Sequence, residues 1–104
     1  LMFQIIMCTC PDIESAKIIA THLVNEKHAA CVNLIPNIIS VYRWQEDIEC
    51  SDEVQLVIKT HAAKFNDVAA EIKRLHRYDT PEIIAMNIQQ GDNAYLNWIT
   101  ESLK

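Results

Sequence analysis

The chain has 104 residues, of which half are apolar and 22% are charged, and its formal net charge is -5 at pH 7. This size and balance are typical of one compact domain, residues 1–104, that buries a core without disulfides or a structural metal. The acidic charge excludes the basic surface that proteins need to bind nucleic acid or anionic membranes.

The first half of the chain alternates apolar runs with turn residues. Residues 2–8 form a short apolar run that predicts a strand, and Pro11 predicts the first turn of a helix. Apolar residues recur at helical spacing over 12–28. Residues 31–44 are apolar and β-branched, which predicts one long edge strand that is kinked at Pro36, because proline has no N–H for the sheet.

The second half of the chain again alternates predicted strands with predicted helices. Residues 45–52 are polar and predict a loop, and the alternation over 53–60 predicts a strand that pairs with the previous one in a long hairpin. Residues 62–77 form a second amphipathic pattern with basic residues in the last turn. Residues 83–88 predict a fourth strand, and Asp92 predicts the cap of a final helix.

The resulting order, βαββαβ with an added C-terminal helix, predicts an α+β, ferredoxin-like sheet with both crossover helices on one face. On the first strand we place Phe3, Ile5 and Met7 against the helices. The residues assigned to the open face are Met2, Gln4, Ile6 and Cys8. Such an apolar open face predicts self-association.

Aromatic and acidic residues occur near the predicted hairpin. Tyr42, Trp44 and Tyr78 could form a base-stacking platform, but the acidic balance favours a role as anchors of a subunit interface. The acidic residues interpreted as a solvated hairpin tip are Glu46, Asp47, Glu49, Asp52 and Glu53.

The four cysteines are expected to be free thiols. The opening segment, residues 1–8, lacks the basic region of a secretory signal and is too short to span a bilayer. We therefore expect a soluble protein in a reducing, cytoplasmic compartment, without a membrane partner. Cys50 in the hairpin loop is expected to be exposed and prone to oxidation. The single glycine, Gly91, excludes glycine-rich phosphate loops and a GxSxG elbow.

Several short segments, taken together and in order, resemble the CutA family over essentially the whole chain. These segments are Cys8-Thr9-Cys10-Pro11-Asp12, Ala29-Ala30-Cys31-Val32-Asn33, Val41-Tyr42-Arg43-Trp44, Tyr78-Asp79-Thr80-Pro81-Glu82-Ile83, and Gly91-Asp92 followed by Tyr95-Leu96-Asn97-Trp98. The resemblance implies a protomer related to the PII signalling proteins, and a tight homotrimer whose long hairpins pair between subunits. It also implies divalent-cation tolerance, with copper as the usual ligand.

The predicted topology brings Cys8 and His76 to the same end of the domain, because the first strand and the second helix run in the same direction. The resemblance implies a copper site made of the first-strand cysteine and two adjacent histidines, which match Cys8, Leu75 and His76 here. Leucine has no donor atom. Cys10 is our own candidate for the missing ligand, since a thiolate is favoured at the start of a helix and suits soft metals.

Each candidate ligand also has a purely structural interpretation. Cys8 is equally compatible with a small apolar residue at the end of a buried strand, and His76 with a positive group at a helix C-terminus. At the opposite end we interpret Cys31 as core and His28 as a helix-end charge. A second site from these two residues and His61 has no motif to support it.

Three classes of function compete. The first is a metal-binding trimer, and the second is a PII-like module that binds a small ligand in clefts between subunits. The candidate residues for that module are Lys59, Arg74 and Arg77. The third is an enzyme with Cys8 or Cys10 as the nucleophile and His76 as the base. Nothing in the spacing requires catalysis, so we expect a protein that is not an enzyme.

Overall fold

A computed structural model of the chain describes residues 2–104. The strands are β1 (Phe3–Cys10), β2 (Cys31–Trp44), β3 (Asp47–His61) and β4 (Ile84–Ile88). The helices are α1 (Ile13–Asn25), α2 (Phe65–Leu75) and α3 (Asn93–Ser102), with one 3-10 turn at Ala62–Lys64. This order confirms the predicted βαββαβ arrangement with an added C-terminal helix.

The four strands form one antiparallel sheet in the order β2-β3-β1-β4. The first and third strands are central, which is the ferredoxin-like arrangement, so the fold is α+β as predicted. Residues of α1 and α2 share a core with the central strands, including Leu23, Leu56 and Ile72. Helix α3 packs separately, where Ile99 and Leu103 contact Phe3. No helix within residues 2–104 is long and apolar enough to cross a membrane.

The prediction of which β1 side chains face the helices is wrong, because the two alternating sets of residues are interchanged. Ile6, Cys8 and Cys10 are fully buried and belong to the core beneath α1 and α2. Because side chains alternate along a strand, Ile5 and Met7 lie on the opposite, open face. The first strand is apolar at both sets of alternate positions, so its pattern does not decide which set faces the helices. Both cysteines therefore lie on the helix side of the sheet.

The hairpin between β2 and β3 is longer than predicted. The expected loop over 45–52 is wrong, because β3 begins at Asp47 and the turn consists of Gln45 and Glu46 alone. Both turn residues have positive φ, 49° and 73°, as in the type I′ turn that connects twisted strands. Such turns usually contain asparagine or glycine, so the residues Gln45 and Glu46 did not indicate a turn.

The predicted kink at Pro36 is confirmed. The register of β2 on β3 shifts between Ile35 and Ile38, and Asn37 has a φ of 62°. Beyond this bulge the hairpin extends from the body of the domain, whose dimensions are 45 × 25 × 22 Å. Apolar side chains are exposed along it, with Ile39 and Val41 each 68% exposed.

The first helix ends earlier than predicted. Helix α1 stops at Asn25 rather than at His28, because Lys27 adopts a left-handed φ of 61°. The His28 N–H then bonds back to the Leu23 carbonyl at 2.9 Å, which closes the helix with a left-handed residue. This turn directs the chain into β2.

Candidate metal centre

Three predicted ligands converge at one end of the sheet. The donor atoms of Cys8, Cys10 and His76 all lie within 4.8 Å of one another. The two cysteines are alternate residues of β1 and therefore point to the same face. His76 follows the last residue of α2 and has an extended backbone. The convergence that we expected from the directions of β1 and α2 is thus present, while ligation itself remains a prediction.

The imidazole of His76 is bound on both sides. Its Nε2 lies 2.7 Å from the carbonyl oxygen of Thr9, and its Nδ1 accepts a hydrogen bond from the backbone N–H of Tyr78 at 3.0 Å. Since a carbonyl only accepts and a backbone N–H only donates, the ring is neutral with its proton on Nε2. The Tyr78 ring also packs on the imidazole, with centroids 4.7 Å apart. These contacts fix the orientation of His76.

The two thiols have different proton affinities. A hydrogen bond to Cys10, together with burial, raises the pKa of Cys8 above its ordinary 9.0. The same hydrogen bond lowers the pKa of Cys10, and the positive charge of Arg77 acts in the same direction. Cys10 is therefore the more readily ionised thiol of the pair. A metal ion would displace the protons of the thiols that it binds.

The start of α1 supports this arrangement. The Oδ1 atom of Asp12 accepts the N–H of Ser15 at 2.8 Å and caps the helix. Its other oxygen accepts a hydrogen bond from Arg77. The bonds from Ser15, followed by the charge of Arg77, lower the pKa of Asp12. The residue after His76 is thereby connected to the helix that begins beside Cys10.

A buried carboxylate near this centre was missed from the sequence. Tyr78 donates its hydroxyl to Oε2 of Glu53 at 2.7 Å, and Glu53 is only 9% exposed. The assignment of Glu53 to a solvated hairpin tip is therefore wrong. Burial and the bond to Glu53 raise the pKa of Tyr78. No local sequence pattern indicates this contact, because the two residues lie 25 positions apart in the sequence.

Leu75 does not contribute to the centre. Its side chain packs against the buried core cluster that includes Ile72 and Val68. Successive helical residues point about 100° apart, so a side chain next to His76 need not share its direction. The position at which the sequence resemblance implies a histidine is here packed against the hydrophobic core.

The opposite end of the sheet does not form a comparable group. Within residues 2–104, the cluster of Cys8, Cys10 and His76 is the one group of three such side chains close enough to hold an ion. His61 is buried, lies 2.9 Å from the Thr100 hydroxyl, and contacts the Phe3 ring. Burial lowers the pKa of His61.

The interpretation of Cys31 as a core residue is wrong. Cys31 is half-buried and pairs with Lys59, whose partner on β1 is Ile5. It therefore lies on the open face of the sheet. Its sulfur is 3.9 Å from the Asn33 amide nitrogen. This thiol faces away from the core and from the predicted metal ligands.

The basic residues suggested for a PII-like cleft are dispersed. Lys59 lies over the Tyr95 ring at 5.7 Å, while Arg77 is bound to Asp12. Arg74 donates to Glu71 at 2.6 Å. This bond, followed by one from His22, lowers the pKa of Glu71 to about 2. Each cation is engaged with a different part of the protomer, so an anion site in a cleft between subunits stays a prediction.

Comparison with known proteins finds relatives that match nearly the whole chain. A family model described as CutA1 divalent ion tolerance protein matches residues 4–102. The divalent-cation tolerance protein CutA of Thermus thermophilus is 40% identical over 101 residues, which cover 97% of this chain and 98% of the relative.

Solved structures show the same similarity. The crystal structure of CutA from Xylella fastidiosa has a TM-score of 0.96 at 43% identity and covers 98% of each chain. The periplasmic divalent cation tolerance protein CutA from Archaeoglobus fulgidus has a TM-score of 0.97 at 40% identity, with 99% of this chain and 100% of the other covered. The chain therefore belongs to the CutA1 divalent ion tolerance family.

Proposed function

We propose that this protein binds a thiophilic metal ion, copper foremost, through Cys8, Cys10 and His76, and that it acts in divalent-cation tolerance. The observation that carries the proposal is the convergence of three donor atoms within 4.8 Å. The names of the relatives support the wider role, since they are divalent-cation tolerance proteins.

The donor set suits soft metals. Two thiolates and one imidazole provide the sulfur-rich, low-coordinate shell that Cu(I) prefers, and they leave one position open for a tetrahedral ion such as Zn²⁺. Because metal binds the thiolate form, Cys8 and Cys10 release protons when the site is loaded. Cys10, already the better thiolate, is the expected first point of attachment.

The reduced state and the burial of these two thiols bear on the cellular compartment and on whether the protein is an enzyme. Ligation requires reduced cysteines, so we propose a reducing, cytoplasmic environment. Both sulfurs belong to residues with no exposed surface, which disfavours direct attack of a thiolate on a substrate. We therefore propose a binding protein rather than an enzyme.

We further propose that the working unit is a homotrimer with a PII-like arrangement. The support is the exposed apolar surface of the protomer. The side chains concerned are Ile39, Val41, Trp44 and Ile48 on the hairpin, and Ile84 and Met86 on the open face, each more than half exposed. Apolar surface of this extent marks an interaction surface. Light scattering should give three times the protomer mass, and a stable monomer would contradict this assembly.

A competition titration tests the metal site. Cu(I) is supplied anaerobically in a chromophoric chelator, and the reduced protein should withdraw one ion per chain. His76→Ala should weaken binding by at least about 100-fold, because the only nitrogen donor of the group is lost. The control is His61→Gln, which removes a buried histidine at the opposite end of the sheet and should leave affinity unchanged. Equal affinity of His76→Ala and the original protein would refute the site.

A further inference from the structure

Access to the two thiols requires movement. Cys8 and Cys10 have 0% exposed surface, so an ion cannot reach them in the closed structure. Three consecutive residues next to them each bind a different element. His76 binds the Thr9 carbonyl in β1, Arg77 binds Asp12 at the start of α1, and Tyr78 binds Glu53 in β3. We call residues 76–78 the cover segment.

The contacts of the cover segment differ in strength. Arg77 and Asp12 are 58% and 47% exposed in their side chains, and exposed ion pairs contribute little. The hydroxyl of Tyr78 instead donates to the buried carboxylate of Glu53, and such charge-assisted hydrogen bonds are about twice as strong as neutral ones. Tyr78 is therefore the firmest attachment among the side chains next to His76.

Metal ligation by His76 must break a contact with Tyr78. If Nδ1 takes the metal, its lone pair is no longer available to the Tyr78 N–H. If Nε2 takes the metal, the ring proton moves to Nδ1, where it faces the same N–H donor. A neutral imidazole therefore loses the Tyr78 hydrogen bond by either route. Ligation through Nδ1 alone keeps the Nε2–H bond to Thr9, which would orient the ring as in other histidine metal sites.

We propose that Tyr78 and Glu53 form a latch that holds the cover segment over the thiols and sets the rate at which a metal ion enters and leaves. This inference rests on the proposed metal-binding function. Tyr78 is a positioning residue, since it acts on the metal only through His76 and through access to the cysteines. The latch opens when the hydroxyl leaves Glu53 and the backbone N–H leaves Nδ1.

The first experiment measures opening without any metal. The reduced protein is treated with iodoacetamide, and the rates of modification of Cys8 and Cys10 are followed by peptide mass spectrometry. Tyr78→Phe should increase these rates by about tenfold, as expected for loss of one hydrogen bond to a charged group. Glu53→Ala should have the same effect. The double variant should be no faster than either single variant, because both changes break one bond.

Two control variants separate the latch from general loss of stability. Tyr42→Phe removes the hydroxyl that lies 2.9 Å from Ser51 on the projecting hairpin and should leave the rates unchanged. Thr100→Val removes the hydroxyl that contacts His61 at the other end. If Thr100→Val accelerates modification as much as Tyr78→Phe does, opening is global and the latch is refuted. A Tyr78→Phe rate within about twofold of the original protein would also refute it.

The second experiment measures metal exchange directly. Cobalt(II) is mixed with the reduced protein in a stopped-flow instrument, and the thiolate-to-cobalt charge-transfer band reports occupancy. Tyr78→Phe should speed both uptake and release by about tenfold. Unchanged rates in Tyr78→Phe would refute the latch while leaving the site intact. Absence of the band in the original protein would count against the metal site, and the alkylation rates would still decide whether the latch exists.

Discussion

The two ends of the sheet contain similar residue types but form different structures. At one end, Cys8 and Cys10 lie within 4.8 Å of the His76 donor. At the other end, His61 bonds to a helix hydroxyl and Cys31 lies on the opposite face of the sheet. A metal centre therefore depends on side chains from different elements that face the same side, and the presence of cysteine and histidine alone does not create one.

The largest effect should separate the cysteines of the two ends. Cys10→Ser should weaken Cu(I) binding by about 100-fold or more, because a hydroxyl is a poor ligand for a soft ion. Cys31→Ser is the matched control and should leave affinity unchanged. Competition with a chromophoric chelator measures both. Equal losses in the two variants would mean that Cys31 also takes part, and the contrast between the ends would fail.

A second substitution tests why Leu75 is not a ligand. Leu75→His supplies the residue type that the sequence resemblance implies at this position, but its side chain would enter the core against Ile72. We expect the free energy of unfolding to fall by about 2 kcal/mol, because a partly buried apolar group is replaced by a polar one. Urea unfolding measures this loss. A tenfold gain in copper affinity instead would show that position 75 faces the site.

The smallest effect concerns pH and the end of the sheet opposite the candidate metal centre. Burial lowers the pKa of His61 below its ordinary 6.5. As pH falls through 6.5, the unfolded chain binds more protons than the folded one, so the free energy of unfolding decreases toward the lower folded pKa. Above pH 6.5, protonation of His61 no longer lowers the free energy of unfolding.

His61→Gln should remove this contribution. Urea unfolding at about pH 7.5 and about pH 5.5 should show a larger loss of stability in the original protein than in the variant. Thr100→Val serves as the control, since it removes the hydroxyl partner and keeps the imidazole. Identical pH dependence in His61→Gln and the original protein would contradict the buried, neutral state assigned to His61.

Features that depend on local pattern and chain direction were predictable from sequence. The order of elements follows from hydrophobic periodicity, and the caps at Asp12 and Asp92 follow from side chains that bind the first helical N–H groups. The convergence of Cys8 with His76 required only that β1 and α2 end at the same side of the sheet.

Features that depend on tertiary contact were not predictable. The facing of β1 was ambiguous because both Ile5 and Ile6 are apolar, and only packing against α1 and α2 decides between them. The tight turn at Gln45 lacks the usual residues. The bond between Tyr78 and Glu53 joins positions that no local pattern connects. The three candidate ligands were therefore accessible from sequence, but the residues that contact them were not.

The central claim is that Cys8, Cys10 and His76 bind one metal ion. It is tested most directly by an anomalous difference map at the copper edge from crystals of the copper-loaded protein. We predict one peak per chain, bonded to both sulfurs and to one imidazole nitrogen of His76. A peak near His61 or Cys31, or no ordered peak in crystals that contain stoichiometric copper, would contradict the assignment.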